Sequence, residues 1–515
     1  FNNNGNIFPA LWICDEFMRR IKTGGMWSLM CPSECPDLMD LHGDAFTARY
    51  LEYESKGIYT RQVPIFDILD MICRSNSETG LPYLCFKDTA NRHNSQSHLG
   101  TLYSSNLCAE IFEHHTRMTK EQADYKKFNP NKPVPGYNKE IAVCNLATMC
   151  LPMYVKSSVN GDSRIGSTLA STRYFDFDEF MYDVEQTVVC LNSVIDMTYY
   201  ALEAMSDSNK SHRPIGLGVQ GLADVFILLG FEYGSPESLK LTSKIAEAKH
   251  WAALSSSIDL AQTDGPYSSF KDSLAARGIL HFDGFKNNYA SGDFGWDGMR
   301  ETVMQFGLRN SLLCAWPPTA TTSVVAGNNE SFEPITYNVY NRDGLSGTFS
   351  VFNKHLVNDL IDLGLWSESV RLQIIANLGS VQAIECIPDN IKAMYLTSYE
   401  IDPFSLIDVA AHAQPWVDQG MSLNWYRGEM NPVEFVKLMQ YAHESELKTG
   451  KYYLHNKAAS QRANYEVKKK VVADSVPKVS VAPEGKTHEK DAGEETEEVA
   501  PFVCLRKPGC EACSS

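Results

Sequence analysis

Apolar residues recur at helical spacing in some stretches of the chain and form short uninterrupted runs in others. A recurrence every three to four residues predicts an amphipathic helix, whereas a short apolar run is typical of a buried strand. The pair Asn431-Pro432 is a typical helix start, and Gly450 is a typical helix stop. We therefore predict helices at 11–21, 65–74, 178–204, 222–229 and 431–450, and buried strands at 141–147 and 311–316.

Three glycines, Gly216, Gly218 and Gly221, lie between two of the predicted helices. Their spacing is superficially that of a dinucleotide-binding loop, but the third glycine of that motif and its ribose-binding acid are not in place. We interpret them as positions where a strand packs tightly as it leads into a helix.

Proline and polar residues mark three loops. The first, 27–36, contains Cys31 and Cys35. A buried loop thiol is a better interpretation of this pair than a zinc site, because no second pair of cysteines lies nearby. The stretches 116–139 and 157–173 are predicted to be surface insertions, and the proline-rich part of the former, 129–136, is incompatible with regular structure.

The composition favours a globular protein of the cytoplasm. Hydrophobic residues make up 43% of the 515 residues, which suits two to four domains or one large α/β barrel with appendages. The 14 scattered cysteines are typical of reduced thiols. A net charge of −17 opposes general binding to nucleic acid, and neither a membrane-spanning run nor a secretory signal is evident. The chain starts at Phe1 rather than methionine, so we expect a missing upstream segment.

The most reactive group of side chains is predicted at 105–111, where Asn106, Cys108 and Glu110 alternate. An extended loop or strand would direct all three side chains the same way. A thiol can act as a nucleophile or one-electron carrier, a carboxylate can take a proton from a hydroxyl, and an amide can hold a second hydroxyl. The cluster suits a vicinal diol, and the alternative is a strand edge with accidental alternation.

A second candidate site follows the predicted strand at 311–316. Thr319, Ala320, Thr321 and Thr322 form a turn before a short helical run, and free N–H groups at a helix start favour phosphate. The alternative is a plain helix-capping cluster.

The end of the chain holds two further features. Tyr452 and Tyr453 are adjacent aromatic residues, which are usually a strand or core pair. The stretch 467–503 is poor in aromatic residues and too polar to fold, so it is predicted to be a tether. It leads to Cys510 and Cys513, a dithiol suited to carrying reducing equivalents, with half of a zinc knuckle as the alternative.

Together these motifs resemble the large, catalytic subunit of class I ribonucleotide reductase, of the eukaryotic and large-virus type. The resemblance spans nearly the whole chain and keeps the family's order. The matching stretches are 27–36, 78–88, 105–111, 143–147, 212–224, 309–334, 447–454 and the Cys510/Cys513 pair.

The resemblance implies a ten-stranded α/β barrel of two parallel half-sheets, of which this chain carries the later part with its finger loop, a helical C-terminal region and a flexible tail. The implied divisions are 1–104 as barrel entry, 105–350 as barrel with finger loop and phosphate cradle, 351–463 as helical region with the tyrosine pair, and 464–515 as disordered tail.

The resemblance also implies the reduction of ribonucleoside diphosphates to deoxyribonucleoside diphosphates for DNA synthesis. Cys108 would become a thiyl radical that abstracts the ribose 3′-hydrogen, while Glu110 takes the 3′-hydroxyl proton and Asn106 binds sugar hydroxyls. Cys144 would be half of the reducing dithiol, re-reduced by the tail cysteines. The other implied roles are substrate binding by Leu107, Thr319, Ala320, Thr321 and Thr322, and radical relay through Tyr452 and Tyr453.

The implied partners are a small subunit whose metal generates the radical, thioredoxin or glutaredoxin, other large subunits, and a polypeptide that supplies the upstream half-barrel. We expect no metal or cofactor bound directly by this chain, and ATP or deoxynucleotide effectors only on the missing N-terminal region. Two alternatives stay open: a radical reductase of another class, and a non-catalytic or split subunit. Adjacent tyrosines and the lack of a C-terminal glycyl-radical loop favour class I over other radical reductases.

Overall fold

The computed structural model describes residues 7–135, 139–157, 173–344 and 347–456. The chain divides into the units Phe1–Asn464 and Tyr465–Ser515, and the described residues all lie in the first. Cys510, Cys513 and most of the predicted insertion at 157–173 lie outside the described residues. The divisions at 104, 350 and 463 stay predictions.

The described strands are short and numbered in chain order. They are β1 Ala10–Ile13, β2 Met26–Leu29, β3 Arg61–Pro64, β4 Tyr83–Phe86, β5 Leu146–Cys150, β6 Val155–Ser157, β7 Arg173–Phe175, β8 Gly216–Gln220, β9 Val339–Gly344, β10 Gly347–Phe352, β11 Trp425–Arg427, β12 Thr449–Lys451 and β13 Leu454–Asn456.

The α-helices carry most of the remaining regular structure. They are α1 Asp15–Thr23, α2 Gly43–Ser55, α3 Ile65–Thr79, α4 Lys87–Arg92, α5 Lys120–Phe128, α6 Phe177–Met197, α7 Glu203–His212, α8 Leu222–Leu229, α9 Pro236–Asp264, α10 Trp296–Phe306, α11 Thr322–Ala326, α12 Lys354–Asp362, α13 Glu368–Ala376, α14 Asp389–Met394, α15 Pro403–Ala413 and α16 Pro432–Glu444.

A row of hydrogen-bonded strands and irregular segments forms the framework of the site. At one end β1 pairs in parallel with β4, and β12 pairs antiparallel to β4. At the other end β5 pairs in parallel with β8. Backbone hydrogen bonds join these ends through irregular segments: Tyr452 N–H donates to Leu423, Trp316 N–H to Gly420, and Leu217 N–H to Leu313. The fold is therefore mixed α/β, and closure into ten strands stays a prediction.

The glycines of β8 allow close approach of neighbouring segments, as the sequence predicted. A Cβ on Gly216 would lie 2.6 Å from Leu146 Cδ2, and a Cβ on Gly218 would lie 2.5 Å from Pro317 Cδ and 2.8 Å from the Ala315 carbonyl. The predicted helix at 222–229 begins directly after Gly221 and is confirmed as α8. The interpretation as a tight strand-to-helix passage is therefore confirmed.

Another glycine, Gly420, makes room for the loop that carries Cys108. A Cβ there would lie 2.3 Å from Phe112 Cε2 and 3.0 Å from the Ala109 carbonyl. Phe112 is buried, so it cannot swing into solvent to relieve the overlap. The backbone at Gly420 must stay without a side chain for the loop to lie where it does.

We predict that Gly420→Ala lowers the free energy of unfolding by about 1–3 kcal/mol, because overpacking displaces the Phe112 ring or the loop backbone. Gly298→Ala is the matched control, since Gly298 lies inside α10 with nothing within 4 Å of an added Cβ. That change should stabilise the protein by about 0.5–1 kcal/mol. Denaturant unfolding of both variants measures the difference, and equal stability of Gly420→Ala and the parent would contradict the packing argument.

Several predicted elements are placed differently in the structure. The helix predicted at 11–21 is wrong in its first part, where β1 pairs with β4 and α1 begins only at Asp15. The helix predicted at 178–204 is two helices, α6 and α7, with a break after Met197. The helix predicted at 65–74 is confirmed and runs on to Thr79 as α3. Pairing with a distant strand overrides the local helical period at β1.

The two predicted strands also need correction. The strand predicted at 141–147 begins only at Leu146, because Asn145 turns its amide N–H groups to the Asn209 side chain and the Pro214 carbonyl. The segment 311–316 is buried but irregular, with a single bridge from Trp316 to Met421.

The end of α16 and one insertion differ as well. The helix α16 ends at Glu444 rather than at Gly450, which instead lies in β12, where a Cβ would come 2.5 Å from Phe86 Cε2. The polar stretch after residue 116 contains α5, which the sequence analysis missed although Thr119 and Gln122 form a capping box. Cys35 is a buried loop thiol, as predicted.

The core consists of three apolar clusters within the described residues. The largest surrounds α6, α8, α9, α15 and α16, and a smaller one packs α12, α13 and α14 together. The third contains Ala109, Phe112, Tyr83 and Tyr452, with Cys108 and Tyr453 packed against it. No helix in the described residues is long and apolar enough to span a membrane.

Candidate active site

The loop that carries Cys108 is a tight turn rather than the extended segment predicted from sequence. Ala109 has a φ of 62°, and its N–H donates to the Asn106 carbonyl at 3.2 Å. The loop is held from outside by Ser422, whose hydroxyl donates to the Cys108 carbonyl at 2.7 Å, and by Thr449, whose hydroxyl donates to the Ala109 carbonyl at 2.5 Å. The prediction of alternating side chains on one face was therefore wrong in its geometry.

The turn nevertheless brings the amide and carboxyl groups together. Asn106 Nδ2 donates to Glu110 Oε1 at 2.8 Å, and Asn106 Oδ1 accepts the N–H groups of Glu110 and Ile111, each at 3.1 Å. Glu110 is 2% exposed, and burial raises the pKa of its carboxyl. Hydrogen bonds from Asn106 and Ser422 oppose that increase by stabilising the charged form. The carboxyl is therefore able to exchange a proton while staying fixed in place.

Tyr452 contacts the Cys108 thiol directly. The Tyr452 hydroxyl donates to Cys108 Sγ at 3.4 Å. Burial raises the pKa of the thiol, and the hydrogen bond from Tyr452 partly opposes the increase. The pKa of Tyr452 is also raised, first by burial and then by the thiol, so its hydroxyl is protonated at neutral pH. The contact joins a phenol to a half-buried thiol with no residue between them.

Three phenol rings lie close together around this contact, at tilted or edge-to-face angles. The ring centroids of Tyr452 and Tyr453 are 4.5 Å apart, and Tyr83 lies 4.7 Å from Tyr452 and 5.0 Å from Tyr453. Tyr83 lies in β4, while the other two follow β12. The adjacent pair was predicted from sequence, whereas Tyr83 was not, because it is distant from the pair in sequence.

An open cleft with a cavity volume of about 340 Å³ lies beside the turn. Asn106, Cys144, Glu113 and Glu140 contribute to its wall. Cys144 is exposed, so the predicted position inside a buried strand is wrong. Crowding by protein atoms still raises the pKa of its thiol, with further contributions from nearby Glu110 and Glu113, and water at the exposed surface limits that increase.

The predicted phosphate cradle lies at the end of β8. Thr319 is buried with a φ of 58°, and its hydroxyl oxygen accepts the Ser331 N–H at 2.7 Å. Thr322 donates to Gln220 Oε1 at 2.9 Å, while Ala320 and Thr321 are exposed. The predicted short helix is confirmed as α11, and binding of an anion there stays a prediction. Leu107, the other predicted substrate contact, is 59% exposed at the turn.

Several residues that hold the site in place were missed from sequence. Ser422 is 314 positions from Cys108, and Gln419, which accepts the Phe112 N–H at 3.3 Å, is 307 positions from its partner. Serine and glutamine carry no motif of their own, so only the fold reveals them. In the described part of the chain, no group of three or more His, Cys, Asp or Glu residues could hold a metal ion.

A thiol hydrogen-bonded to a buried phenol lies beside a carboxyl–amide pair, on a loop held by the mixed α/β framework. The chain belongs to the ribonucleotide reductase family, since the model of the family's barrel domain matches residues 2–453. The family resemblance inferred from sequence is confirmed.

Curated relatives agree with this assignment. The chain is 41% identical to the ribonucleoside-diphosphate reductase large chain of Encephalitozoon cuniculi over 90% of its own length and 56% of that relative. It is 40% identical to the large subunit from Arabidopsis thaliana over 99% of its own length and 60% of the relative, and 39% identical to that from Danio rerio over 91% and 55%. The chain therefore spans little more than half the length of these curated relatives.

Proposed function

We propose that the chain contributes the radical site of an enzyme that reduces ribonucleoside diphosphates to deoxyribonucleoside diphosphates. The observation that carries the proposal is the 3.4 Å contact between the Tyr452 hydroxyl and Cys108 Sγ. The Tyr452 ring in turn lies close to the rings of Tyr83 and Tyr453. The names of the relatives, ribonucleoside-diphosphate reductase large chain or large subunit, support the substrate class.

The radical step uses the Tyr452–Cys108 contact. A tyrosyl radical at Tyr452 takes the hydrogen atom of the Cys108 thiol, which leaves a thiyl radical and restores the phenol. The thiyl radical then takes the 3′-hydrogen of the ribose. Tyr453 precedes Tyr452 in the relay, and the original radical comes from the metal centre of a separate small subunit. Tyr453 and Tyr452 would serve as neighbouring steps of the relay because their ring centroids are 4.5 Å apart.

The polar groups of the turn act on the sugar. Glu110 takes the 3′-hydroxyl proton, for which its raised pKa and its fixed position are suited. Asn106 orients the sugar hydroxyls beside it, and Leu107 covers the ribose. Thr319, Ala320, Thr321 and Thr322 hold the diphosphate through backbone N–H groups and hydroxyls.

Two electrons reach the sugar from a dithiol. Cys144, on the wall of the cleft that Asn106 also lines, supplies one thiol, and a cysteine of an additional polypeptide segment supplies the other. Cys510 and Cys513 then reduce the resulting disulfide and are themselves reduced by thioredoxin or glutaredoxin. ATP and deoxynucleotide effectors bind outside this chain.

A second candidate function is that of a split subunit with no activity alone. The chain aligns with 55–60% of the length of two of these relatives, so this candidate is tested with the remaining part supplied separately. In this case the same site works only when another polypeptide, and other large subunits, complete the barrel. The cytoplasmic location stays a prediction.

The purified chain with a small subunit and a dithiol reductant should form no deoxynucleotide, and activity should appear when a polypeptide with the remaining part of a relative is added. We expect this because the resemblance assigns the second reducing thiol and the first half of the barrel to a separate segment, and an unpartnered half-barrel has exposed strand edges. Chromatographic detection of deoxynucleoside diphosphate measures the outcome. Omitting the small subunit is the control for chemistry without a radical.

Two results would overturn parts of this proposal. Deoxynucleotide formation by the chain without the added polypeptide would contradict the split arrangement. Failure of the complete mixture, with the chain correctly folded, would contradict the reductase function itself.

A further inference from the structure

A buried carboxyl group, Glu113, has no place in the mechanism above. It lies on the cleft wall together with Cys144 and is 4% exposed. Its Oε1 atom has no hydrogen-bond partner among the described residues. A buried carboxyl oxygen without a hydrogen-bond partner carries a cost in desolvation free energy, which is smaller when the carboxyl is protonated. A role in a reaction can explain why the protein keeps such a group.

Glu113 shares its cleft with Cys144, the redox cysteine of the proposed function. The backbone N–H of Val143, the residue before Cys144, is close enough to the Glu113 carboxyl to oppose the increase in its pKa. Both side chains line the same cleft, and the charge of Glu113 contributes to the raised pKa of the Cys144 thiol. Glu113 follows the Cys108 turn in sequence, so it links the turn to the segment that carries Cys144.

The groups that face Glu113 come from both sides of the cleft. Glu140 is close enough to repel a charge on Glu113, and Lys139 and His115 also line the cleft. Glu140 itself is held by His212, whose Nε2 lies 3.2 Å from Glu140 Oε2. The same interaction lowers the pKa of Glu140, so this neighbour stays charged at neutral pH.

Burial, followed by repulsion from Glu140, raises the pKa of Glu113 to about 8. Glu113 is therefore mostly protonated at pH 7 and loses its proton as the pH rises through 8. Cys144, in contrast, has to gain a proton when it leaves a disulfide. Its raised pKa makes it a poor leaving group from a disulfide unless it receives a proton as it leaves.

We propose that Glu113 is the proton donor to Cys144 when the disulfide of Cys144 is reduced. An incoming thiolate attacks the sulfur joined to Cys144, a new S–S bond forms to the attacking sulfur, and the bond to Cys144 breaks. The electron pair stays on the Cys144 sulfur, which takes its proton from the Glu113 carboxyl. The attacking thiolate is oxidised, Cys144 is reduced, and water later returns the proton to Glu113. This step rests on the redox role of Cys144 in the proposed function.

The step can be measured in the full chain without nucleotide or partner proteins. The cysteines are converted to mixed disulfides with glutathione, and dithiothreitol then reduces them at pH values from 6.5 to 9.5. Peptide mass spectrometry follows the Cys144 adduct separately from that of Cys190, an exposed cysteine on α6 that serves as an internal control. The variants are Glu113→Gln, Glu113→Asp and, as a matched carboxyl of the same cleft, Glu140→Gln.

We expect Glu113→Gln to slow release of Cys144 by about tenfold or more at pH 7, because the amide cannot give up a proton. The deficit should shrink above pH 8, where the parent carboxyl has also lost its proton. Glu113→Asp should keep the pH dependence of the parent. Glu140→Gln should keep the proton donor but shift the pH dependence to lower pH, because it removes the repulsion that helps raise the pKa of Glu113. The Cys190 adduct should show no deficit.

Equal rates for the parent and Glu113→Gln would overturn the proposal. A deficit of the same size at every pH would also overturn it, because that result is expected of a purely structural role. Either result would leave deoxynucleotide formation by the complete enzyme intact, whereas failure of the proposed function would appear in that assay instead.

Discussion

Replacement of Cys108 by serine in the complete enzyme should lower deoxynucleotide formation by at least about 10³-fold, the scale expected when the reacting atom of a site is removed. The sulfur of Cys108 accepts a hydrogen bond from the Tyr452 hydroxyl, so it is the atom that the group of three phenol rings contacts. A serine hydroxyl holds its hydrogen too strongly for a phenol radical to remove it. The measurement is the rate of deoxynucleoside diphosphate formation at saturating substrate.

The fold should survive this change. Cys108 is half-buried, and Ser422 and Thr449 hold the turn through carbonyl groups that serine at position 108 retains. Cys31→Ser, at another half-buried thiol, is the matched control and should keep the activity of the parent. Turnover by Cys108→Ser within tenfold of the parent would contradict the assignment of the thiyl radical to Cys108.

Tyr452→Phe should cause a loss of similar size, at least about 10³-fold, with unchanged binding of the nucleotide. A phenyl ring keeps the packing against Tyr83, whose ring centroid lies 4.7 Å away, but it has no hydroxyl hydrogen to exchange with Cys108. The raised pKa of Tyr452 means that its proton is present at neutral pH and must leave together with the electron. The rate of turnover and the dissociation constant of the substrate are measured on the same preparation.

Tyr83→Phe provides the control for ring packing. It removes a hydroxyl from the same group of three rings but leaves the contact between Tyr452 and Cys108 in place. Its activity should stay near that of the parent. Full activity of Tyr452→Phe would contradict the relay and favour a reductase that makes its radical locally.

Local patterns were sufficient where short-range forces decide the structure. The helix at 222–229 was predicted within its observed limits, because the flanking glycines punctuate a continuous apolar run. Gly216 and Gly218 were interpreted correctly as close-packing positions. The resemblance of the motifs to one family, taken together, also identified the family that the comparisons confirm.

Long-range pairing decided the parts that were wrong. Residues 10–13 have a helical period but form β1, because β4 offers a parallel partner 73 positions away. Gly450 was predicted to end a helix, but it lies in β12, where an added side chain would overlap Phe86. The extended geometry predicted for 105–111 was wrong, since Ser422 and Thr449, more than 300 positions distant, hold the segment as a turn.

The grouping of Asn106 with Glu110 was predicted from alternation but arises from a different cause. Their side chains meet through a direct hydrogen bond across the turn, at 2.8 Å. Cys144 was placed in a buried strand because its neighbours are apolar, yet the bonds of Asn145 to Asn209 and Pro214 delay the strand and leave the thiol exposed. Exposure is the arrangement that a thiol needs to react with a second dithiol.

The proposed function depends above all on removal of the 3′-hydrogen of a ribonucleoside diphosphate by Cys108. The most direct test uses the complete enzyme and a substrate with deuterium at the 3′ carbon, and compares its rate of deoxynucleotide formation with that of unlabelled substrate in single-turnover experiments. We expect slower product formation from the deuterated substrate, and no product from either substrate with Cys108→Ser. Equal rates for the two substrates, together with product from the serine variant, would contradict this role of Cys108.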